Sequence, residues 1–271
     1  MNKALLILVD GCRPDILAAA PASYINSLSQ QGAWTYNART VTPSITLPVH
    51  FSIFTSMTPG NHGVETNSSG APVSDAAVGF FQWAKFHGRS TAMYYNWEFL
   101  RQLSPPGYLD TAIYLNTAMD PDGDMRISRA ARHDMIENRP DFAFVYFGVL
   151  DEAGHAHGFE SDAYIAAMQK ADQAVEYLVE GLISAGIRDQ YTILFQSDHG
   201  GIGHDHSTPV QEVMTIPWFI VGNGIQKTEI QKTGVSVIDT APTLARCMGL
   251  PRHHLWQGKM IQEAFIPGTD P

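Results

Sequence analysis

"FAFVYFGVLDEAGHAHG", residues 142–158, decides how the rest of the chain is read. Its first nine residues form an unbroken apolar run without helical period. Such a run suits a strand buried on both faces, as in a parallel sheet. Its last eight place two carboxylates, two histidines and two glycines where that strand should stop. Four further runs read the same way: "ALLILV" (4–9), "STAMYY" (90–95), "YTILF" (191–195) and "WFIV" (218–221). Helical patterns lie between them. The clearest spans 162–185, where Ile165, Met168, Val175, Leu178, Val179 and Leu182 recur at three- and four-residue steps. Asp162 is placed to cap its start and Gly186 to end it. Strands alternating with helices predict an α/β fold with a mostly parallel sheet covered on both faces.

The 271 residues are 44% hydrophobic and 16% charged, an ordinary globular composition long enough for a sizeable core. No repeat, low-complexity tract or linker breaks the chain, so 1–271 is expected to be a single domain. The stretch 100–125 is the most irregular and is expected to be a surface excursion near the site. Within it, "DPDGD" (120–124) lacks the downstream Glu of a calcium loop and reads as a solvated turn. The formal charge of −10 argues against a nucleic-acid polymer or an anionic membrane as partner. It leaves room for a small phosphate ester if metal ions supply positive charge locally. Cys12 and Cys247 stand far apart in sequence, which speaks against a disulfide framework. The first apolar run ends in Asp10, too soon for a signal segment, and no window approaches a membrane span. A cytoplasmic location is the expectation.

In open α/β sheets, ligands bind beyond the carboxyl ends of the strands. Asp10 follows the first run, Asp151 and His155 follow the third, and Asp198 and His199 follow the fourth, with His204 and His206 shortly after. Singly, these residues read as helix caps or loop histidines. Three strands delivering carboxylate and imidazole to one edge point instead to a metal centre. Six side chains are too many for one catalytic zinc, which keeps an open position, and suit two divalent ions. Mixed imidazole and carboxylate ligands suit Zn²⁺ best, with Mn²⁺ or Fe as alternatives.

"TVTPSITLPVHFSIFTS" (40–56) offers a nucleophile. Pro48 fits the first turn of a helix, which places Thr46 at the N-cap, where free amides favour an anion. A capping threonine is unremarkable by itself. Beside metal ions its hydroxyl becomes a candidate nucleophile.

Taken together, these residues resemble the alkaline phosphatase superfamily, most closely its type I phosphodiesterase/nucleotide pyrophosphatase branch. "LVDGCRPD" is similar to that branch's first metal Asp with its Gly-x-Arg. "TPSITLPVH" is similar to its Thr-x-Pro-x-His segment, "NHGVETN" to its His-Gly-x-x-x-Asn stretch, "DEAGHAHG" to Asp-x-x-Gly-His-x-x-Gly, and "SDHG" to its Asp-His pair. "VSVIDTAPTLARCMGLP" (235–251) resembles the helix that the superfamily places near its C-terminus. The resemblance implies an alkaline-phosphatase-like three-layer α/β/α sandwich. It implies one ion on Asp10, Asp198 and His199, and another on Asp151, His155 and a late histidine. Spacing favours His206 for that position, although His204 in an extended loop would face the same way. It further implies Thr46 as nucleophile and Asn67 as binder of a phosphoryl oxygen. His204 and His157 are candidates for support behind the ligands. The remaining histidines (His50, His62, His87, His133, His253 and His254) read as structural or solvated.

The implied activity is hydrolysis of phosphate esters through a phospho-threonine, in the manner of a phosphodiesterase or nucleotide pyrophosphatase. Leu47 stands where the branch commonly has an aromatic residue, which puts nucleotide specificity in question. Threonine as nucleophile argues against a sulfatase. No obvious third cation is available for a monoester's extra charge, and Arg13 reads as a brace of the first turn. A phosphomonoesterase or phosphonate hydrolase on the same site is the alternative. A non-catalytic metal-binding interaction protein is the reading from a different class.

Overall fold

The apolar runs become strands because residues with no polar face can be buried only inside a sheet covered on both sides. A computed structural model describes residues 2–19, 23–232 and 234–268. The ends of the 1–271 unit expected from the sequence lie outside them. Among the described residues are eight strands: β1 (Lys3–Val9), β2 (Ala33–Arg39), β3 (Thr91–Tyr95), β4 (Thr111–Tyr114), β5 (Phe142–Phe147), β6 (Tyr191–Gln196), β7 (Thr215–Val221) and β8 (Thr228–Glu229). The helices are α1 (Pro14–Ala19), α2 (Ser23–Ser29), α3 (Thr46–Thr55), α4 (Pro59–His62), α5 (Phe80–Phe86), α6 (Gly123–Asn138), α7 (Val149–His157), α8 (Asp162–Ser184), α9 (Gln211–Met214) and α10 (Thr240–Cys247).

The strands form one sheet in the order β4-β3-β5-β1-β6-β7-β2-β8. All pairs are parallel except β6·β7 and β2·β7. Side chains alternate across β1: Ala4, Leu6 and Leu8 join a core with α3, α5 and α10, while Leu5, Ile7 and Val9 join one with α6 and α8. Helices therefore cover both faces, giving the α/β/α layering expected. No helix of the described residues is long and apolar enough to cross a membrane.

Several local expectations are corrected. The run 142–150 is strand only to Phe147, and Val149 and Leu150 already belong to α7. The turn is enforced by side chains from elsewhere: Asn96 Oδ1 accepts from Gly148 N at 3.1 Å and Asp124 Oδ1 from Val149 N at 3.3 Å. "WFIV" is the end of a longer strand, and it runs antiparallel. Stretch 100–125 is more than an excursion, because it contains β4, the edge strand paired with β3. β2 and β8 were also not foreseen. "AWTYNAR" mixes polar and apolar residues in keeping with its place near the sheet edge, and β8 is only two residues long. The long helix is capped by Ser161, whose Oγ accepts from Tyr164 N, rather than by Asp162. "DPDGD" does form a turn, in which Asp120 Oδ1 accepts from Asp122 N, but Asp124 is buried.

Register then positions the site. Val9 of β1 lies beside Phe147 of β5, and Leu8 lies beside Gln196 of β6. The three central strands end level, so the residues that follow them emerge side by side.

Candidate metal centre and nucleophile

The six expected ligands do converge. Asp10 leaves β1, Asp198 and His199 leave β6, and Asp151 and His155 lie one helical turn apart on α7, where positions i and i+4 share a face. His206 arrives from the loop after β6. Ligand atoms of Asp151, His155 and His206 lie within 4.8 Å of one another, as do those of Asp10, Asp151 and His199. Asp151 thus reaches both groups. Asp198, expected with Asp10 and His199, puts Oδ2 at 3.3 Å from His199 Nε2. His199 Nε2 also lies 3.3 Å from Asp10 Oδ1, and His155 Nε2 lies 3.2 Å from His206 Nε2.

Each imidazole is oriented by a backbone carbonyl. His155 Nδ1 donates to His204 O at 2.9 Å, His199 Nδ1 to Gly200 O at 2.9 Å, and His206 Nδ1 to Ser44 O at 2.7 Å. A carbonyl can only accept, so each Nδ1 carries a proton and each Nε2 is the atom left to face the cluster, offering a lone pair to a cation once it is deprotonated. The aspartates follow the same rule. Asp10 Oδ2 accepts from Tyr146 Oη, Asp198 Oδ1 accepts from the amides of Gly11 and His199, and Asp151 Oδ2 faces His155 Nε2 at 3.2 Å. The other oxygens, Asp10 Oδ1, Asp151 Oδ1 and Asp198 Oδ2, are buried without a hydrogen-bond partner. Three orphaned carboxylate oxygens buried beside the imidazole Nε2 atoms are costly unless a cation joins them. The donor set fits divalent metal.

The electrostatics agree. Burial, and then the charges of Asp198 and Asp151, push Asp10 well above the ordinary carboxylate range. Burial and Asp151 push Asp198 up to about 7. Burial also pushes Asp151 up, but its bond to His155 and the surrounding imidazoles bring it below its usual value. The same bond to Asp151 raises His155 to about 9. Burial lowers His206 to about 4.

Thr46 is the first residue of α3 rather than its cap; Ile45 is the cap and Thr46 is buried. Its Oγ1 lies 3.4 Å from His199 Nε2, directly against the cluster. The expectation of free helix-start amides is only partly met. Leu47 N donates to Asn67 Oδ1 at 2.9 Å, and Pro48 has no N–H. That bond fixes the exposed Asn67 with its NH₂ available as a donor. Thr46, Asn67, Asp10, Asp151, His155 and His206 line one cavity of about 180 Å³, together with Trp97, Tyr146, Gly148 and Glu152. No Lys or Arg is among these residues.

His204 lies within the turn closed by Ile202 and Asp205, and His206 follows it. The loop is therefore not extended, and His204 faces solvent while His206 is buried. His204 acts through its backbone: its carbonyl orients His155, and its own Nδ1 donates back to His155 O. His157 is not brought to the site. Two residues from His155 on a helix, it points elsewhere. It lines a separate hollow beside Met119 and Lys170. Arg13 braces more than its own turn, pairing with Asp15 at 2.6 Å and Glu160 at 2.8 Å and donating to Gly201 O at 3.2 Å.

Sequence reasoning missed Tyr146, hidden within an apolar run, and the pair Asn96 and Asp124, which holds the start of α7. Asn96 Nδ2 donates to Asp124 Oδ1 at 2.9 Å, and burial pushes Asp124 up to about 7. An Asn directly after a buried strand was the available signal. Ser44 was missed too: its Oγ donates to His206 O at 2.6 Å, tying the nucleophile segment to the ligand loop.

The model of the family described as "Type I phosphodiesterase / nucleotide pyrophosphatase" matches residues 4–218. Ectonucleotide pyrophosphatase/phosphodiesterase family member 1 of Rattus norvegicus is 27% identical over 220 residues, covering 72% of this chain and 24% of that protein. Family member 3 of Mus musculus is 29% identical over 220 residues, covering 74% and 25%. The chain thus spans about a quarter of the length of these relatives. In fold, it is similar to murine ectonucleotide pyrophosphatase/phosphodiesterase 5, solved as an inactive threonine-to-alanine form with AMP. That likeness has a TM-score of 0.77 at 14% identity and covers 93% of this chain and 96% of that one. A phosphonate monoester hydrolase from Silicibacter pomeroyi is similar at TM-score 0.73 and 15% identity, covering 96% of this chain and 76% of that one.

Proposed function

The chain belongs to the type I phosphodiesterase/nucleotide pyrophosphatase family, and on that premise we propose that it hydrolyses phosphate diesters through a phospho-threonine at Thr46. The observation that carries the reading is the convergence of three imidazole Nε2 atoms and three unpartnered carboxylate oxygens beside the Thr46 hydroxyl. Asp10, Asp198 and His199 would hold one divalent ion and Asp151, His155 and His206 a second, with zinc best suited to the donors. Such ions supply Lewis acidity, lowering the pKa of a hydroxyl and offsetting charge on phosphoryl oxygens.

The chain's own residues perform the rest. Thr46 Oγ, its hydroxyl proton released to solvent, attacks phosphorus in line; its bond to phosphorus forms as the ester P–O bond breaks, and the electron pair departs on the leaving alkoxide, which takes up a proton from water. The Asn67 NH₂ donates to a phosphoryl oxygen where charge accumulates, and the bond from Leu47 N keeps it aimed. Water then attacks the phospho-threonine, releasing the monoester product and restoring the Thr46 hydroxyl. Buried Tyr146, by donating to Asp10, holds that carboxylate in one orientation.

A diester is favoured because no Lys or Arg lines the cavity to meet the second charge of a monoester. A phosphonate monoester also carries a single charge and satisfies the same argument. The deciding experiment measures kcat/KM on zinc-loaded protein for a bis-aryl phosphate diester, an aryl phosphonate monoester and the matching aryl phosphate monoester. A tenfold or larger preference for the phosphate monoester overturns the reading. Absence of turnover on all three supports a non-catalytic metal-binding protein.

A further inference from the structure

Three segments that deliver ligands each carry a glycine against the same side chain. Gly11 follows Asp10, Gly154 precedes His155, and Gly201 lies two residues after His199. A methyl group on Gly154 would stand 2.6 Å from the Phe159 ring, and one on Gly11 would stand 3.1 Å from it. A methyl on Gly201 would collide with the ring outright. Gly11 also needs glycine for its backbone, with φ of +65°, whereas at Gly154 and Gly201 the space taken by Phe159 is the constraint.

Phe159 is itself fully buried. Gly158, at φ +99°, turns the chain out of α7, and Phe159 N then donates to Gly203 O at 2.8 Å. The ring lies edge-on to His155 at 5.7 Å and to His206 at 6.4 Å between centroids. On its other side it packs on Tyr164, whose hydroxyl donates to Gly11 O at 2.6 Å and accepts from Arg13 N at 3.1 Å. One ring therefore touches the Asp10 turn, the His155 turn of α7 and the loop from His199 to His206. Tyr164 and Arg13 tie Gly11 and Gly201 by hydrogen bonds, and the ring fills the space between the three segments, where close packing permits only small displacements.

We propose that Phe159 is a positioning residue for the ligand cluster: a shared apolar stop that sets the mutual distance of the three ligand-bearing segments. Its effect is exerted through His155, Asp10 and the 199–206 loop, without contact with substrate. The zinc part of the test rests on the metal reading above; the metal-free part does not.

The test compares wild type, Phe159→Leu and, as a control, Met135→Ala, a buried residue near the far end of α6 in the same core. Zinc affinity is measured by chelator competition, and amide hydrogen exchange is measured on metal-free protein. Phe159→Leu is expected to weaken zinc binding by roughly tenfold or more, in the range typical of groups behind metal ligands. It should also speed exchange together at residues 10–13, 153–158 and 199–206. Met135→Ala should lower Tm with zinc affinity within twofold of wild type. A second variant guards against simple misfolding: Gly201→Ala should weaken zinc binding, and adding Phe159→Leu to it should recover part of the loss, because the collision is removed. Phe159→Leu with wild-type zinc affinity and unchanged exchange at the three segments overturns the proposal, as does strict additivity of the Gly201 and Phe159 substitutions. If wild type holds no zinc, the metal reading falls and the exchange pattern still decides the role of Phe159.

Discussion

The two ligand groups differ in exposure chiefly through His155, since His206 of the outer group is also buried. His199 and Asp198 have fully buried side chains and Asp10 nearly so, while the His155 side chain is 38% exposed and that of Asp151 11%. The inner group is packed beneath α3 and held by backbone amides and Tyr146. The outer group opens into the cavity shared with Asn67, Trp97 and Glu152. On the proposed reading, the inner group suits activation of the nearby Thr46 hydroxyl, and the outer group, through its exposed His155, suits departure of an alcohol and entry of water. On that reading any division of labour follows from depth, because both groups use the same donor types.

That contrast can be broken experimentally. Thr46→Ala should cut kcat for an aryl diester by roughly a thousandfold, as expected for loss of a covalent nucleophile; stopped-flow or steady-state turnover reads it, and near wild-type activity removes the covalent scheme. His199→Ala should cost more than His155→Ala, by roughly tenfold in zinc affinity, because water can replace an exposed ligand whereas a buried one leaves its carboxylate partners uncompensated. Equal losses by chelator competition would erase the inner–outer distinction. Asn67→Ala should lower kcat/KM by about 10- to 100-fold with zinc affinity unchanged, consistent with one lost donor to developing charge.

Smaller effects test the supports. Asp124 titrates near 7 when folded and near 3.9 when unfolded, so the native state binds more protons between those values. Its contribution to stability is present below about pH 4 and is lost as pH rises through about 7. Asp124→Asn keeps an acceptor oxygen and avoids that loss. It should match wild type near pH 4 and exceed it in Tm by a few degrees, roughly 2–4 °C, above pH 7; an equal Tm at both pH values contradicts the assignment. His204→Ala retains the carbonyl that orients His155, so kcat/KM should change by less than about threefold. A loss as large as that of His155→Ala would return His204 to the ligand set.

Much of this arrangement was legible in the chain. Asp10, Asp151 and Asp198 each follow a strand whose apolar run is unambiguous, and the helical spacing of Asp151 and His155 places them on one face. Where reading failed, the deciding contact came from far away in sequence. The end of β5 was overrun by three residues because Asn96 and Asp124, not local propensity, begin α7. His157, expected at most as support behind the ligands, is turned outward by the helix. Spacing favoured His206 over His204 but left His204 open, because the turn through Ile202–Asp205 is what decides which imidazole enters.

Residue identity alone specified the donor chemistry, the order of the ligands along the chain and the alternation of strand and helix. These are local properties, because periodicity records burial and side-chain type records coordination chemistry. Tertiary packing decided which oxygen of each carboxylate is left unpartnered, which ring nitrogen faces inward and which ligands lie deep. Those choices are made by the carbonyls of Ser44, Gly200 and His204, by the level register of β5, β1 and β6, and by the Phe159 ring between three glycines. Backbone carbonyls are chemically identical at every position, so no reading of side chains could have singled them out.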